Sequence, residues 1–109
     1  MPRYLIEVSY SQQSVQAMVA NAPDRVEAVK KLMGVLGGKL ESFHYCFGKF
    51  DAVLIAEAPD NVSAAAVGLA VAQTGSVTRY ETRTLLTPDE GREAMRKAKQ
   101  IAGSYTPPA

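Results

Sequence analysis

The sequence predicts an α+β fold built on one four-stranded antiparallel sheet. Four short segments rich in aliphatic, aromatic and β-branched side chains alternate with apolar helical patterns, in the order strand, helix, strand, strand, helix, strand. Capping residues and glycines bound the helical patterns, and a charged helical segment follows the last strand. The chain of 109 residues is long enough for one hydrophobic core but not for two.

The first strand is predicted over Tyr4–Tyr10, and the polar segment SQQSVQAMVANA after it favours a short helix or a turn. A firmer helix is predicted from Pro23, because proline lacks the N–H that would go unpaired at the first helical position. Gly37-Gly38 ends this helix, since glycine adopts the left-handed cap conformation without a Cβ clash. Its apolar stripe consists of Val26, Val29, Met33 and Leu36.

Two further strands, Lys39–Phe47 and Phe50–Ala58, are predicted to form a hairpin around the turn Gly48-Lys49. With a two-residue loop, Phe47 faces Phe50, and opposed residues share one side of the sheet. One side is then aromatic and aliphatic, with Phe43, Tyr45, Phe47, Phe50, Ala52, Leu54 and Ala56. The other is mixed and polar, with Leu40, Ser42, His44, Cys46, Asp51, Val53, Ile55 and Glu57. A one-residue bulge would reverse part of this assignment.

Asp60 is predicted to cap a second apolar helix, NVSAAAVGLAVAQ, which Gly75 ends. Ser76–Leu86 is the predicted fourth strand. The segment Thr87–Glu90 (TPDE) has the pattern of a capping box with proline at the first helical position, and it opens a charged helix to about Ala102.

This order is that of the ferredoxin-like βαββαβ plait, with helices on one sheet face and an added C-terminal helix. We expect one domain over residues 1–102 and a flexible tail over 103–109. The pattern does not decide which sheet face the helices cover. Because the other face needs a cover, we expect a homo-oligomer, most simply a dimer that resembles the dimeric α/β-barrel proteins.

Composition and net charge argue against several classes of binding partner. The formal net charge is +1 and 21% of residues are charged, so no strong field attracts nucleic acid or an acidic membrane. The central strand AVLIAEA also lacks the stacking aromatics of RNA-binding plaits. A single cysteine, Cys46, allows no internal disulfide, and Glu7 interrupts the apolar run that a signal peptide needs. We therefore expect a cytoplasmic protein that binds neither nucleic acid nor membrane.

The block LGGKLESFHYCFGKFDAVLIAEAPD resembles the GYD family of small bacterial and archaeal proteins, which is named for a Gly-x-Tyr-Asp turn. The resemblance extends from the first strand to LLTPDE, and Phe50 stands where the family name has tyrosine. It implies a ferredoxin-like fold related to the dimeric α/β barrels. It implies no activity and no catalytic residues.

Four residues of the polar face are the ligand-binding candidates: His44, Cys46, Asp51 and Glu57. Imidazole, thiolate and carboxylate can bind zinc, but the close Cys and His pairs of a structural site are lacking, so no metal or cofactor is expected. His44 could act as an acid or base with Asp51, or as the base for Cys46. The simplest role for Asp51 is structural, accepting N–H bonds at the Gly48-Lys49 turn. Gly48, Phe50 and Asp51 then form a turn motif.

Three functions remain open on these residues. The first is a non-catalytic or regulatory small-ligand module, with a pocket between the polar sheet face and its cover. The second is a cofactor-independent enzyme of the isomerase or monooxygenase type, by analogy of fold. The third is a structural interaction protein.

Overall fold

The computed structural model describes residues 1–109 as a four-stranded antiparallel sheet with four α-helices. The strands are β1 (Arg3–Tyr10), β2 (Lys39–Tyr45), β3 (Ala52–Glu57) and β4 (Val77–Leu85). The helices are α1 (Gln12–Asn21), α2 (Arg25–Val35), α3 (Asn61–Ala72) and α4 (Pro88–Ile101), followed by a 3₁₀ turn over Ala102–Ser104. The sheet order β2-β3-β1-β4 places β1 and β3 in the centre, consistent with the predicted ferredoxin-like plait.

The hydrophobic core lies between the sheet and helices α2 and α3. Alternate residues of the central strands point into it, because successive side chains of a strand face opposite sides. They are Tyr4, Ile6 and Val8 of β1, and Ala52, Leu54 and Ala56 of β3. Met33 from α2, together with Ala64 and Val67 from α3, closes the core from the helix side. The helices therefore cover the face that carries Phe43 and Leu54, which the sequence pattern left undecided.

A β-bulge in β2 changes one predicted side-chain direction. The register shifts between Leu40, which pairs with Ala56, and Ser42, which pairs with Ile55. The extra residue, Glu41, reverses the alternation before it, so Leu40 packs against the core. Its predicted place on the polar face is wrong. His44 pairs with Val53 as predicted.

The β2–β3 connection is wider than the predicted two-residue hairpin loop. The Cys46 N–H donates to the Asp51 carbonyl at 2.9 Å, and the Asp51 N–H donates to the Val8 carbonyl of β1 at 2.8 Å. These bonds hold Asp51 against β1, so the four residues between Cys46 and Asp51 form a loop. Phe47 at its tip is fully exposed, and Phe50 is buried outside the core cluster, 5.7 Å below the Arg79 guanidinium. The predicted Phe47–Phe50 pair on the aromatic face is therefore wrong.

Helix ends follow the predicted capping signals, with one shift. Asp60 accepts the Ser63 N–H at the start of α3, and Thr87 with Glu90 forms the capping box of α4. Gly37 and Gly75 both have φ of 74°, the left-handed conformation expected of helix-ending glycines. However, the cap of α2 is Asp24, which accepts from Glu27, so Pro23 precedes the helix and the predicted start was two residues early.

Helix α4 extends away from the rest of the molecule. Its substantial contacts are with the 3₁₀ turn that follows it, and every residue except Gly91 is exposed. The molecule is accordingly elongated, with principal extents of 58 × 36 × 23 Å. None of the helices combines the length and the apolar character that crossing a membrane requires.

Candidate functional site

Of the four candidates predicted from sequence, His44 and Glu57 lie on the open sheet face, whereas Cys46 and Asp51 lie at the hairpin end beyond the strands. His44 is exposed on edge strand β2 opposite Val53. Glu57 lies four residues farther along β3 than Val53, which corresponds to about 13 Å at the rise of an extended strand. No three His, Cys, Asp or Glu side chains are grouped closely enough to hold a metal ion.

Asp51 has a structural role different from the one predicted. Its carboxylate accepts the backbone N–H of Tyr10 at 2.8 Å, rather than an N–H of the Gly48-Lys49 turn. Strand β1 lies on one side of β3 and β2 on the other, so this bond directs the carboxylate away from His44. Asp51 thus joins the hairpin end to the point where β1 leads into α1. The predicted His44–Asp51 pair is not formed.

Cys46 and Glu57 also have local partners. The Cys46 thiol lies 3.2 Å from the Phe50 carbonyl oxygen, to which it donates. Glu57 lies 3.9 Å from the Arg3 guanidinium, which binds Glu41 more closely at 2.8 Å. These contacts stabilise the hairpin end and the opposite end of the sheet, respectively.

A cavity of about 280 Å³ lies on the opposite face of the sheet, between the sheet and helices α1, α2 and α3. Its walls are mostly apolar and include Val8, Met18, Leu32, Leu54 and Val71. A concave apolar space with few polar groups is the usual form of a small-molecule site. The size is slightly below the range of drug-sized pockets. This cavity is the best candidate site in the structure.

Two polar side chains from different elements meet in this cavity. Tyr10 is at the end of β1, and Arg25 is in the first turn of α2. Burial raises the pKa of the Tyr10 phenol, and the neighbouring Tyr45 and Asp51 raise it too, whereas the Arg25 guanidinium opposes the shift. The phenol therefore stays protonated and able to donate a hydrogen bond at neutral pH. Burial likewise raises the pKa of Tyr80, which lines the cavity from β4.

A second depression of about 670 Å³ lies where β1 begins and β4 leads into α4. It is lined by exposed, mostly polar residues such as Arg3, Thr84 and Glu90. Such a surface does not enclose a ligand, so the smaller cavity remains the better candidate.

The sequence of this chain matches a known protein family. The family model of the GYD domain matches residues 4–95, most of the chain. This chain belongs to the GYD domain family. The match confirms the resemblance noted from the hairpin block. A search of curated proteins found no match.

In this GYD protein, the predicted turn motif of Gly48, Phe50 and Asp51 makes contacts at one end of the sheet. Gly48 has φ of 125°, which favours glycine, and it sits in the exposed loop between β2 and β3. Phe50 is buried under Arg79, and Asp51 binds the Tyr10 amide. The family turn therefore lies at the end of the sheet where Tyr10 enters the cavity.

Sequence reasoning missed the cavity residues of this GYD protein because they show no motif. Tyr10 and Arg25 are separated by a helix whose existence the sequence left open. One usable signal was present: Tyr10 and Tyr80 both occupy core-facing strand positions, where a phenol hydroxyl needs a polar partner or a cavity.

Proposed function

We propose that this GYD protein is a small-ligand-binding module whose ligand occupies the cavity between the sheet and helices α1, α2 and α3. The observation that supports this proposal is the cavity itself, which is mostly apolar, bounded by the sheet and three helices, and bordered by the phenols of Tyr10 and Tyr80. His44 and Cys46, the groups that an enzyme of the predicted type would use, lie outside it. Binding is therefore the function that the geometry supports best.

Filling the cavity should abolish binding. Val71 lines the cavity and is only half-buried, so Val71→Phe can place its ring in the empty volume with little overpacking. Suitable probes are 2-phenylethanol and its anionic analogue phenylacetate, followed by amide chemical shifts. Ligands of this size are expected to bind with dissociation constants on the order of 1 mM. Val71→Phe should weaken binding at least about tenfold.

The matched control is Val62→Phe, the same substitution at an exposed position of α3 that does not line the cavity. It should leave binding of both probes unchanged. The proposal fails if neither these probes nor the linear pair hexanoate and 1-hexanol give saturable shifts in the wild type, or if Val71→Phe binds as the wild type does.

We also propose that the protein self-associates through the open sheet face, in a dimer resembling the dimeric α/β barrels. Leu5, Val53 and Ile55 are only half-buried at the centre of this face. Its β4 edge carries Arg79, Glu81 and Arg83, and Arg83 already binds Glu7 within the chain, as Arg3 binds Glu41 on the β2 side. The apolar centre of the face, rather than its charges, therefore supports the proposal, and a two-fold axis along the strands would set β4 of one copy against β2 of its partner.

A carboxylate at the centre of the open face should break this association. Light scattering at micromolar concentration is expected to give a dimer or larger species for the wild type and a monomer for Ile55→Glu. Val62→Glu introduces the same charge at an exposed position of α3 and should not change the mass. A monomeric wild type would refute self-association, and dissociation by Val62→Glu alone would move the interface to the helix side.

A further inference from the structure

The charge of the cavity lining is unbalanced. Arg25 is the only charged side chain among the lining residues. It is half-buried, and none of the ion pairs in the structure includes it. A guanidinium is planar and always charged, and it binds carboxylates through two parallel N–H bonds. The cavity thus has one permanent positive charge against apolar walls.

The nearest acidic groups do not neutralise this charge. Asp24 precedes Arg25 in the chain, but its carboxylate caps α2 by accepting the Glu27 N–H at 3.0 Å. Asp51 is close enough to Tyr10 to raise the pKa of that phenol, but it does not line the cavity and accepts the Tyr10 amide. The Tyr10 hydroxyl, protonated at neutral pH, adds a hydrogen-bond donor beside the guanidinium.

We infer that the ligand is a small apolar molecule with a single anionic group, most simply a carboxylate, which Arg25 and Tyr10 bind while the apolar part fills the cavity. This inference rests on the proposed function, because it assigns a ligand class to the same cavity. A neutral ligand would leave the Arg25 charge partly desolvated with only the neutral Tyr10 phenol as a partner, which costs free energy. An anion replaces the lost hydration with charge-assisted hydrogen bonds.

Two pairs of probes with matched shapes test the ligand class. Phenylacetate and 2-phenylethanol share an aromatic skeleton, and hexanoate and 1-hexanol share a linear one. Titrations followed by amide chemical shifts should give tighter binding for the anion in at least one pair, by about tenfold or more, as expected for a charged hydrogen bond.

Substitution of Arg25 should remove this preference without removing binding. Arg25→Gln is expected to weaken binding of the preferred anion about tenfold or more and to leave the matched alcohol unchanged. Arg92→Gln in α4 removes the same charge far from the cavity and is the control. Tyr10→Phe should weaken binding of the anion by a smaller factor than Arg25→Gln does. If Arg25→Gln does not fold, Arg25→Lys should keep the preference for the anion, because it keeps the charge.

The outcomes separate this inference from the proposed function. The inference of an anionic ligand is overturned if the alcohols bind as tightly as the acids, or if Arg25→Gln keeps the full preference for the anion. The cavity would then remain a site for neutral molecules. If Arg92→Gln also loses the preference for the anion, that preference comes from the overall charge of the protein and not from Arg25. This result would also overturn the inference. If no probe of either kind binds, both proposals fail.

Discussion

Replacing Gly38 by alanine is expected to destabilise the protein by about 3 kcal/mol or more. Gly38 lies between α2 and β2, and a Cβ there would press far inside contact distance of the Glu57 carbonyl oxygen. It would also lie 3.1 Å from the buried Met33 Cε. Glu57 is paired with both Lys39 and Arg3 in the sheet, so its carbonyl cannot move without breaking the register. Urea denaturation followed by circular dichroism measures the effect.

The control for this substitution lies four residues upstream. Gly34 is inside α2, and a Cβ there meets no atom within 4 Å. Gly34→Ala should therefore stabilise the protein by up to about 1 kcal/mol, since alanine favours the helix over glycine. Equal effects of the two substitutions would contradict the close approach of Gly38 to the β3 backbone.

Replacing Leu54 by alanine is expected to cost about 3 kcal/mol. Leu54 is 6% exposed, pairs with Ile6 and Phe43 in the sheet, and contributes to both the core and the cavity wall. Because Leu54 borders an empty cavity, few side chains on that side can move in to fill the space that alanine leaves. The cost is therefore not reduced by relaxation of the core. The same substitution should enlarge the cavity, so it should improve binding of bulkier probes relative to small ones.

Ile55→Ala is the matched control on the same strand. Ile55 points to the open face and is half-buried, so its truncation should cost about 1 kcal/mol in an isolated chain. Denaturation midpoints at several protein concentrations compare the two variants. If Ile55→Ala lowers the free energy of unfolding as much as Leu54→Ala does, at every protein concentration, the assigned core face is wrong.

Much of the fold was predictable because its signals are local. A strand alternates with period two, so the faces of β3 were assigned correctly from its sequence alone. The caps at Asp60 and Thr87 and the glycines 37 and 75 act within one helical turn, and all four ended or began a helix where predicted. These features need no knowledge of distant residues.

The errors arose where distant residues decide the local conformation. The hairpin loop is wider than predicted because Asp51 bonds to Val8 and Tyr10, which are about forty positions earlier in the chain. The bulge at Glu41 has no glycine or proline to mark it, yet it coincides with the Arg3–Glu41 ion pair across the sheet. Such contacts cannot be obtained from a pattern within a window of the sequence.

The candidate site was the least predictable part. The candidates His44, Cys46, Asp51 and Glu57 were chosen for their chemistry, and the period of the strand correctly placed His44 and Glu57 on the open face. Distances along the strands and local partners then keep them apart. The cavity depends on how α1, α2 and α3 are placed over the sheet, which is set by three-dimensional packing and leaves no trace in composition.

The isolation of α4 means that the molecule has two separate units of stability. A helix of 14 residues without packing partners is marginally stable in water, and α4 depends on its capping box and on charges that suit its dipole. Its hydrogen bonds can therefore open and close while the sheet remains intact. A free energy of unfolding measured on the core describes the sheet with α2 and α3 only. Substitutions in α4 would change its local helix–coil equilibrium and leave the cooperative transition of the sheet unaltered.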